Sequence, residues 1–353
     1  MKKRVSKASL LATFAVAAAI IAGPALAQTA PRYEVEMAWP KPLPNQWVLG
    51  GLGGLCVDAQ DHVFILNRQD VVEGDLNGAK LAPQIIEFDP AGNVVQSWNG
   101  PQFDDRLHSC HFDAEGNFWV ASAPSGMVQK YTRDGKRLLL QIGTKGKVDS
   151  SDGTPKGKPL NSAAAQFFMP SSIFVDRGNG DVYVSDGEGS DSNRRVAVMD
   201  KTGKFLRQWK IEDMETVHCL TMAKDGMVYV CNRQGAAIRV YDKMGALKRT
   251  IQVPWKPVTP QAGGALKQSG GSAVAIDFSP DPQQRLMYVI NQNSAQIDIL
   301  DRASGKVLSS FGRPGSFPGQ FNQAHGIAVD TKGNVYLAEN RGKRVQKFRI
   351  AAQ

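Results

Sequence analysis

Phe321 to Phe348 reads FNQAHGIAVDTKGNVYLAENRGKRVQKF and sets the pattern for the whole chain. His325 stands just ahead of an apolar run, the polar turn Thr331-Lys332-Gly333-Asn334 follows, and a second apolar run, Val335 to Ala338, leads to Arg344-Val345-Gln346-Lys347-Phe348. Apolar runs of strand length joined by short glycine-containing turns read as antiparallel strands. This stretch is therefore one small sheet.

The same pattern occurs about six times at intervals of roughly 50 to 60 residues, room for a four-stranded unit with its connections. The other copies pair Leu55–Asp58 with Phe64–Leu66, Cys110–Asp113 with Phe118–Val120, Ile173–Asp176 with Val182–Val184, Leu220–Ala223 with Val228–Val230, and Val274–Asp277 with Met287–Val289. A second hairpin follows each of these, built on turns such as Asp89-Pro90-Ala91-Gly92, Asp200-Lys201-Thr202-Gly203 or Asp242-Lys243-Met244-Gly245. Six such units predict an all-β, six-bladed propeller. The last copy stops after its third strand, while Tyr33-Glu34-Val35-Glu36-Met37 is a strand-like run without a hairpin of its own. Pairing the two removes a free sheet edge and closes the ring.

Residues 1–27 have the order of a secretory signal: Lys2, Lys3, Arg4 and Lys7, an apolar stretch from Leu10 to Ile21, then Ala25-Leu26-Ala27 before Gln28. Residues 28–353 are expected to form the propeller as one domain. The net charge of +9 includes four leader cations and no leader acid, leaving 38 basic against 33 acidic residues, or +5. Those charges are dispersed, with no basic run and no apolar run long enough to cross a bilayer, so neither nucleic acid nor a membrane is expected as a partner. A periplasmic or secreted protein follows. Cys56, Cys110, Cys219 and Cys231 lack paired metal spacing. Disulfides are possible in an oxidising compartment, but most of these cysteines lie in inner-strand runs, where a small buried thiol is the commoner state; they are read as unpaired.

The chemistry rests on where the five histidines fall. His108, His218 and His325 each stand five positions before the residue that closes an inner strand, namely Asp113, Ala223 and Asp330, in the second, fourth and sixth copies. The equivalent places in the first, third and fifth copies read as Gly53, Ser171 and Ser272. Alternate blades of a six-fold ring are about 120° apart, so three imidazoles at one phase converge on the axis and give a three-ligand zinc site with an open position, or a site for another divalent transition metal. His62, in a turn, and His111, at another phase, read as structural. Long connections at the same rim, Gln69 to Pro83, Thr144 to Met169 and Val253 to Gly271, are either substrate walls or tolerated insertions. Arg68 and Arg233, each in an Asn-Arg pair ending a second strand, suit either a substrate carboxylate or a surface ion pair.

GIAVDTKGNVYLAE and GNFWVAS look like NHL repeats, and the order of motifs is similar to the lyase domain of peptide-amidating enzymes, the peptidyl-α-hydroxyglycine α-amidating lyases. The resemblance covers essentially all of residues 28–353. It implies an NHL-type six-bladed propeller whose zinc is held by the histidines of LHSCHFD, VHCLTMA and AHGIAVD, here His108, His218 and His325. It also implies two active-site arginines, matching Arg68 in ILNRQD and Arg233 in VCNRQG, and cleavage of a small or peptidyl carbinolamide bearing a carboxylate to an amide and glyoxylate. Two departures stand out. Where the family has a tyrosine base after VSDG, this chain has Glu188, readable either as a catalytic base or as a solvated loop carboxylate. Where the family has an acid after its last histidine, associated with calcium, this chain has Gly326, so calcium is not expected by that route. A non-catalytic NHL-type binding propeller and a lactonase-like metal hydrolase are the competing readings.

Overall fold

Asp58, Asp113 and Asp330 close inner strands by folding back on the turn that follows. Oδ1 of each accepts the backbone N–H groups two and four residues on, at 2.9 and 2.9 Å for Asp58, 3.1 and 2.8 Å for Asp113, and 2.9 and 2.8 Å for Asp330. Gly116 and Gly333 take the left-handed conformation these turns need, with φ of 79° and 83°. After Asp113 and Asp330 the aspartate and the glycine together explain why the apolar run doubles back after so few residues, and after Asp58 the left-handed residue is Asp61, at φ 63°.

The computed structural model describes residues 29–100, 103, 106–189, 191–255 and 271–352. The proposed leader, residues 1–27, and nearly all of the connection from Val253 to Gly271 lie outside the described residues. Six four-stranded antiparallel sheets form blades in chain order, with inner strands Leu52–Val57, Leu107–Phe112, Pro170–Val175, Val217–Met222, Ala273–Phe278 and Ala324–Val329. Each inner strand neighbours the next and the sixth returns to the first, so the ring is closed. A two-residue parallel ladder, Trp47–Val48 with Lys80–Leu81, lies outside the blades. Among the described residues no helix is long and apolar enough to cross a membrane.

The apolar residues form six clusters, each between two adjacent blades. Phe64 of blade 1, for example, meets Phe112 and Phe118 of blade 2 at ring-centroid distances of 4.9 and 5.7 Å. The axis itself is left as a channel, consistent with a fold in which each unit packs mainly on its neighbours.

Blade 6 is completed as expected, by Tyr33–Val35 pairing with Arg344–Ile350 in the register Tyr33 to Ile350, Glu34 to Arg349 and Val35 to Phe348. Tyr33 does more than pair. Its hydroxyl donates to Gly333 O at 2.9 Å and therefore accepts from the Tyr288 hydroxyl at 2.8 Å, while its ring stacks on Phe311 at 5.0 Å. Tyr288 and Phe311 belong to blade 5, so one side chain fastens the terminal strand to two blades.

The cysteines are paired, against expectation. Cys56–Cys110 joins the inner strands of blades 1 and 2, with Cα atoms 5.7 Å apart, and Cys219–Cys231 spans the first hairpin of blade 4 at 4.9 Å. Burial does place these sulfurs inside, as the sequence suggested, but neighbouring inner strands bring residues 54 apart side by side, and spacing carries no trace of that.

Replacing Tyr33 by alanine is expected to lower stability by about 2–3 kcal/mol, somewhat less than a fully buried aromatic would. Tyr33→Phe, which keeps the stack and loses the hydroxyl, should cost about 1 kcal/mol. Urea unfolding midpoints measure both, and an unchanged midpoint for Tyr33→Ala would show that the terminal strand does not hold the ring.

Candidate metal centre

At the start of each inner strand the pairing with the second strand slips by one residue. Leu107 pairs with Ser122 and Ser109 with Ala121, leaving His108 as the extra residue; Ala324 pairs with Glu339 and Gly326 with Ala338, leaving His325. Val217 pairs with Asn232 and Leu220 with Val230, so the slip in blade 4 spans His218. A bulged residue is free of the ladder's alternation and can be re-aimed. Here the re-aiming is toward the axis.

The three rings meet there, with centroids 4.9 to 5.1 Å apart and their metal-capable nitrogens all within 4.8 Å of one another. All three are buried. Each Nδ1 donates to a backbone carbonyl of the following blade: His108 to Ser171 O at 2.6 Å, His218 to Val274 O at 2.7 Å and His325 to Gly53 O at 2.8 Å. This leaves Nε2 with its lone pair in the neutral ring, the arrangement a ligating histidine uses. Nε2 of His108 and of His218 are buried without a partner. Burial holds His218 down to about 3, with Arg233 and His108 adding to the effect against Glu188, and burial likewise holds His325 well below its ordinary value. Three Nε2 lone pairs around one point, those of His108 and His218 wholly buried, fit a transition-metal ion.

The acceptor for His218 corrects one expected equivalence. Gly53 and Ser171 do occupy the phase of the histidines, but in blade 5 that phase belongs to Val274, not Ser272. The N–H to carbonyl bond that closes the turn in the other blades, such as Asp113 to Asn117, is made in blade 5 by Ser279 to Leu286. Asp277 therefore does not close its strand. It faces the channel, where its carboxylate accepts from the N–H of Phe278 and of Val329, both at 2.8 Å. Counting from Asp277 and not from Ser279 displaces the sequence phase by two residues.

Glu188 joins the centre. Its Oε2 lies 3.3 Å from His218 Nε2 and 3.7 Å from His108 Nε2, and its Oε1 lies 3.7 Å from Arg233 Nη1. It is not a solvated loop carboxylate. Burial alone would push its pKa up, but His218, His108 and Arg233 hold it well below the usual carboxylate range. Met169 O accepts the N–H groups of Gly187 and Glu188 at 3.1 and 2.9 Å, and Val217 N donates to Gly187 O at 3.1 Å, so the backbone before His218 is tied to the backbone before Glu188. A Cβ on Gly187 would stand 2.7 Å from Asn193 O, which explains the glycine.

Behind Glu188 sits a charge network that sequence reading missed. Fully buried Arg195 donates from Nε to Asp186 Oδ2 at 2.9 Å, and Asn193 Nδ2 bridges Asp186 and Asp149 at 2.6 and 2.7 Å. Asp149 also accepts from Ser162 N at 2.7 Å, which fastens the long Thr144 to Met169 connection to the same network. A third-strand arginine gave no cue in the sequence, because its partners come from a loop and from the neighbouring strand.

Arg233 is buried, and its Nη2 donates to Gln292 Oε1 at 3.1 Å; Gln292 Nε2 in turn donates at 2.8 Å to the carbonyl of Ala324, next to His325. Arg68, half-buried, donates from Nε to Leu107 O at 3.4 Å, next to His108. Burial lowers both arginines while Glu188 opposes it. Arg341, the similar third Asn-Arg residue, is exposed. On the same rim Gln234 Oε1, both polar ends of Asn293, Gln323 Oε1 and Asn340 Nδ2 are buried without a protein partner. Such groups are satisfied by water or by a ligand.

The remaining two histidines stand outside the three-ring centre. His62 bonds Glu87 at 2.6 Å beside Asp58, and Arg133 already supplies that cluster's cation, at 2.7 Å from Glu87. His111 lines the channel against Phe174, with ring centroids 4.4 Å apart, and burial holds it down to about 4. Gly326 leaves no acid beside His325; a Cβ there would lie 2.8 Å from Gly54 Cα.

The NHL repeat family matches residues 321–348. The mouse NHL repeat-containing protein 3 is 25% identical over 344 residues, covering 90% of this chain and 84% of that protein. A probable peptidyl-α-hydroxyglycine α-amidating lyase of Caenorhabditis elegans is 19% identical over 326 residues, covering 86% and 83%. Among solved structures, a streptogramin B lyase superposes with a TM-score of 0.56 at 13% identity, covering 91% of this chain and 98% of that one. A virginiamycin B lyase of Staphylococcus aureus gives 0.53 at 14%, covering 91% and 90%. The structural likenesses carry the propeller fold.

Asp277 gives the channel a pH signature. Burial raises its pKa to about 6, whereas an unfolded aspartate titrates near 3.9. Between about pH 4 and 6 the folded chain keeps a proton the unfolded chain has lost, so this group's contribution to stability falls as pH rises through that window. Asp277→Asn should therefore gain stability relative to the wild type from pH 4 to pH 6, by about 2 kcal/mol. Parallel unfolding curves at the two pH values would measure it, and a constant difference would rule it out.

Proposed function

We propose that this chain is an exported zinc-dependent lyase that cleaves a peptidyl- or N-acyl-α-hydroxyglycine-like carbinolamide to an amide and glyoxylate. The convergence of His108, His218 and His325 with Glu188 and Arg233 at one end of the channel carries the reading. The similarity to a probable amidating lyase over most of the chain supports it. The two disulfides suit an oxidising, exported location.

Zinc held by the three imidazoles would supply the Lewis acidity that lowers the pKa of a substrate hydroxyl. Three imidazoles, with no cluster of carboxylates about them among the described residues, favour such a metal over calcium, which weighs against the lactonase-like alternative. Arg233 and Arg68 are placed to take the substrate carboxylate and to stabilise charge as it develops. Glu188 is the carboxylate within reach of the hydroxyl proton. As that proton leaves, the O–H electron pair becomes the second bond of the glyoxylate carbonyl, and the carbon–nitrogen pair departs with nitrogen. Nitrogen then takes a proton and the free amide results. Gln234, Asn293, Gln323 and Asn340 offer unsatisfied polar groups for the rest of the substrate.

The NHL repeat-containing proteins are more similar in sequence than the lyase is and their name assigns no reaction, so a non-catalytic binding propeller stands as the second reading. Glyoxylate release from an α-hydroxyglycine peptide separates the two. The lyase reading expects stoichiometric zinc in the purified protein, activity lost on chelation and regained with zinc, and none in His325→Ala. Arg233→Ala should lower kcat/KM by about 100-fold or more. Absence of both zinc and glyoxylate release from the wild type would leave the binding propeller.

A further inference from the structure

We propose that Glu188 is a fourth protein ligand, so that in the resting protein the metal is held by three imidazoles and one carboxylate. The inference rests on the metal-centre reading and adds to it. Because the Nδ1 protons of all three rings are committed to backbone carbonyls, the neutral rings present only lone pairs at Nε2. Glu188 Oε2 points its own lone pairs at two of those nitrogens, is buried and accepts no hydrogen bond. Facing lone pairs repel unless a cation lies between them.

The spacing suits such a cation. Ligands at about 2.0–2.1 Å in a tetrahedron are about 3.3–3.4 Å from one another. Oε2 lies 3.3 Å from His218 Nε2 and 3.7 Å from His108 Nε2, near that edge length for two of the three rings. The other oxygen, Oε1, is turned to Arg233 at 3.7 Å, which fixes the carboxylate's orientation as a second-layer partner does for a metal ligand. The backbone is equally fixed, by the Met169 carbonyl and by the Gly187 to Val217 bond that couples Glu188 to the strand bearing His218.

A tyrosine at this place would leave a three-histidine site open, whereas Glu188 closes it. A substrate hydroxyl would then have to displace Glu188 or add as a fifth donor. The displaced carboxylate remains next to the hydroxyl whose proton must be taken. Adding a hard oxygen donor to three imidazoles also widens the set of divalent metals the site accepts.

Zinc affinity, measured by competition with a chromophoric chelator, and the visible spectrum of the Co(II)-loaded protein test the assignment without any turnover. Glu188→Ala and the near-isosteric Glu188→Gln should each still bind one metal, with affinity lowered at least about tenfold and with Co(II) bands shifted in position and intensity. Circular dichroism and melting temperature check that both variants fold, and His325→Ala serves as the variant that loses stoichiometric binding. Wild-type affinity and a superposable Co(II) spectrum in both Glu188 variants overturn the fourth ligand while leaving the three-histidine centre intact. A wild-type protein that binds no metal overturns the centre and the fourth ligand together.

Discussion

The bond from His325 Nδ1 to the carbonyl of Gly53 spans 272 residues and crosses the joint where the ring closes. Its two counterparts, from His108 to Ser171 and from His218 to Val274, cross ordinary joints between consecutive blades. Each imidazole is thus oriented by the blade after its own. The centre cannot form within one sheet, or within five. Closure of the propeller and assembly of the site are one event, and Tyr33, which fastens the terminal strand to blades 5 and 6, belongs to the site's foundations although it touches none of its atoms.

The distribution of apolar surface follows from the same requirement. Six clusters lie between blades, so the axis is free to stay polar, and a channel of about 280 Å³ runs from the histidines past Ser109, His111 and Asp277. Bulges at the mouths of the inner strands are affordable only because the cores sit elsewhere: a bulged residue interrupts a ladder at its end and disturbs no cluster. Cys56–Cys110 adds a covalent tie between the first two inner strands, where the connection from Trp98 to Leu107 has to cross from the outer edge of one blade to the axis of the next.

Much of this was legible in the sequence because it repeats. The Asp-x-x-Gly turn is local chemistry, and the phase of three histidines survives in the numbering because the turns after Asp113, Ala223 and Asp330 are of equal length. The same counting failed in blade 5, where a longer turn and an aspartate in mid-strand imitated the pattern and made Ser272 look like the equivalent of Val274. Cysteine pairing was hidden for a different reason. It depends on which strands lie side by side, and no periodicity encodes that. Glu188 could be found only as a departure from a family pattern; its distance to the imidazoles is set by Asp186, Asn193 and Arg195, whose partnership joins a strand, a loop and a neighbouring strand.

Charge at the rim decides what kind of molecule belongs there. Arg233 and Arg68 both stand within electrostatic range of Glu188, the one carboxylate the centre contains among the described residues. Arg68 also feels Asp70 and Arg106, so three guanidinium groups face two carboxylates around this mouth even before a divalent cation is considered. Burial keeps solvent from screening the excess, since interactions that water would weaken are felt more strongly in a protein-lined mouth. A neutral ligand would leave that excess in place, whereas an anionic ligand removes it. A Glu188 that served a metal, as proposed, would have less charge to offer the arginines and would strengthen their hold on an incoming anion. Under the proposed function, a substrate that carries its own carboxylate would be the one to balance the charges of the centre.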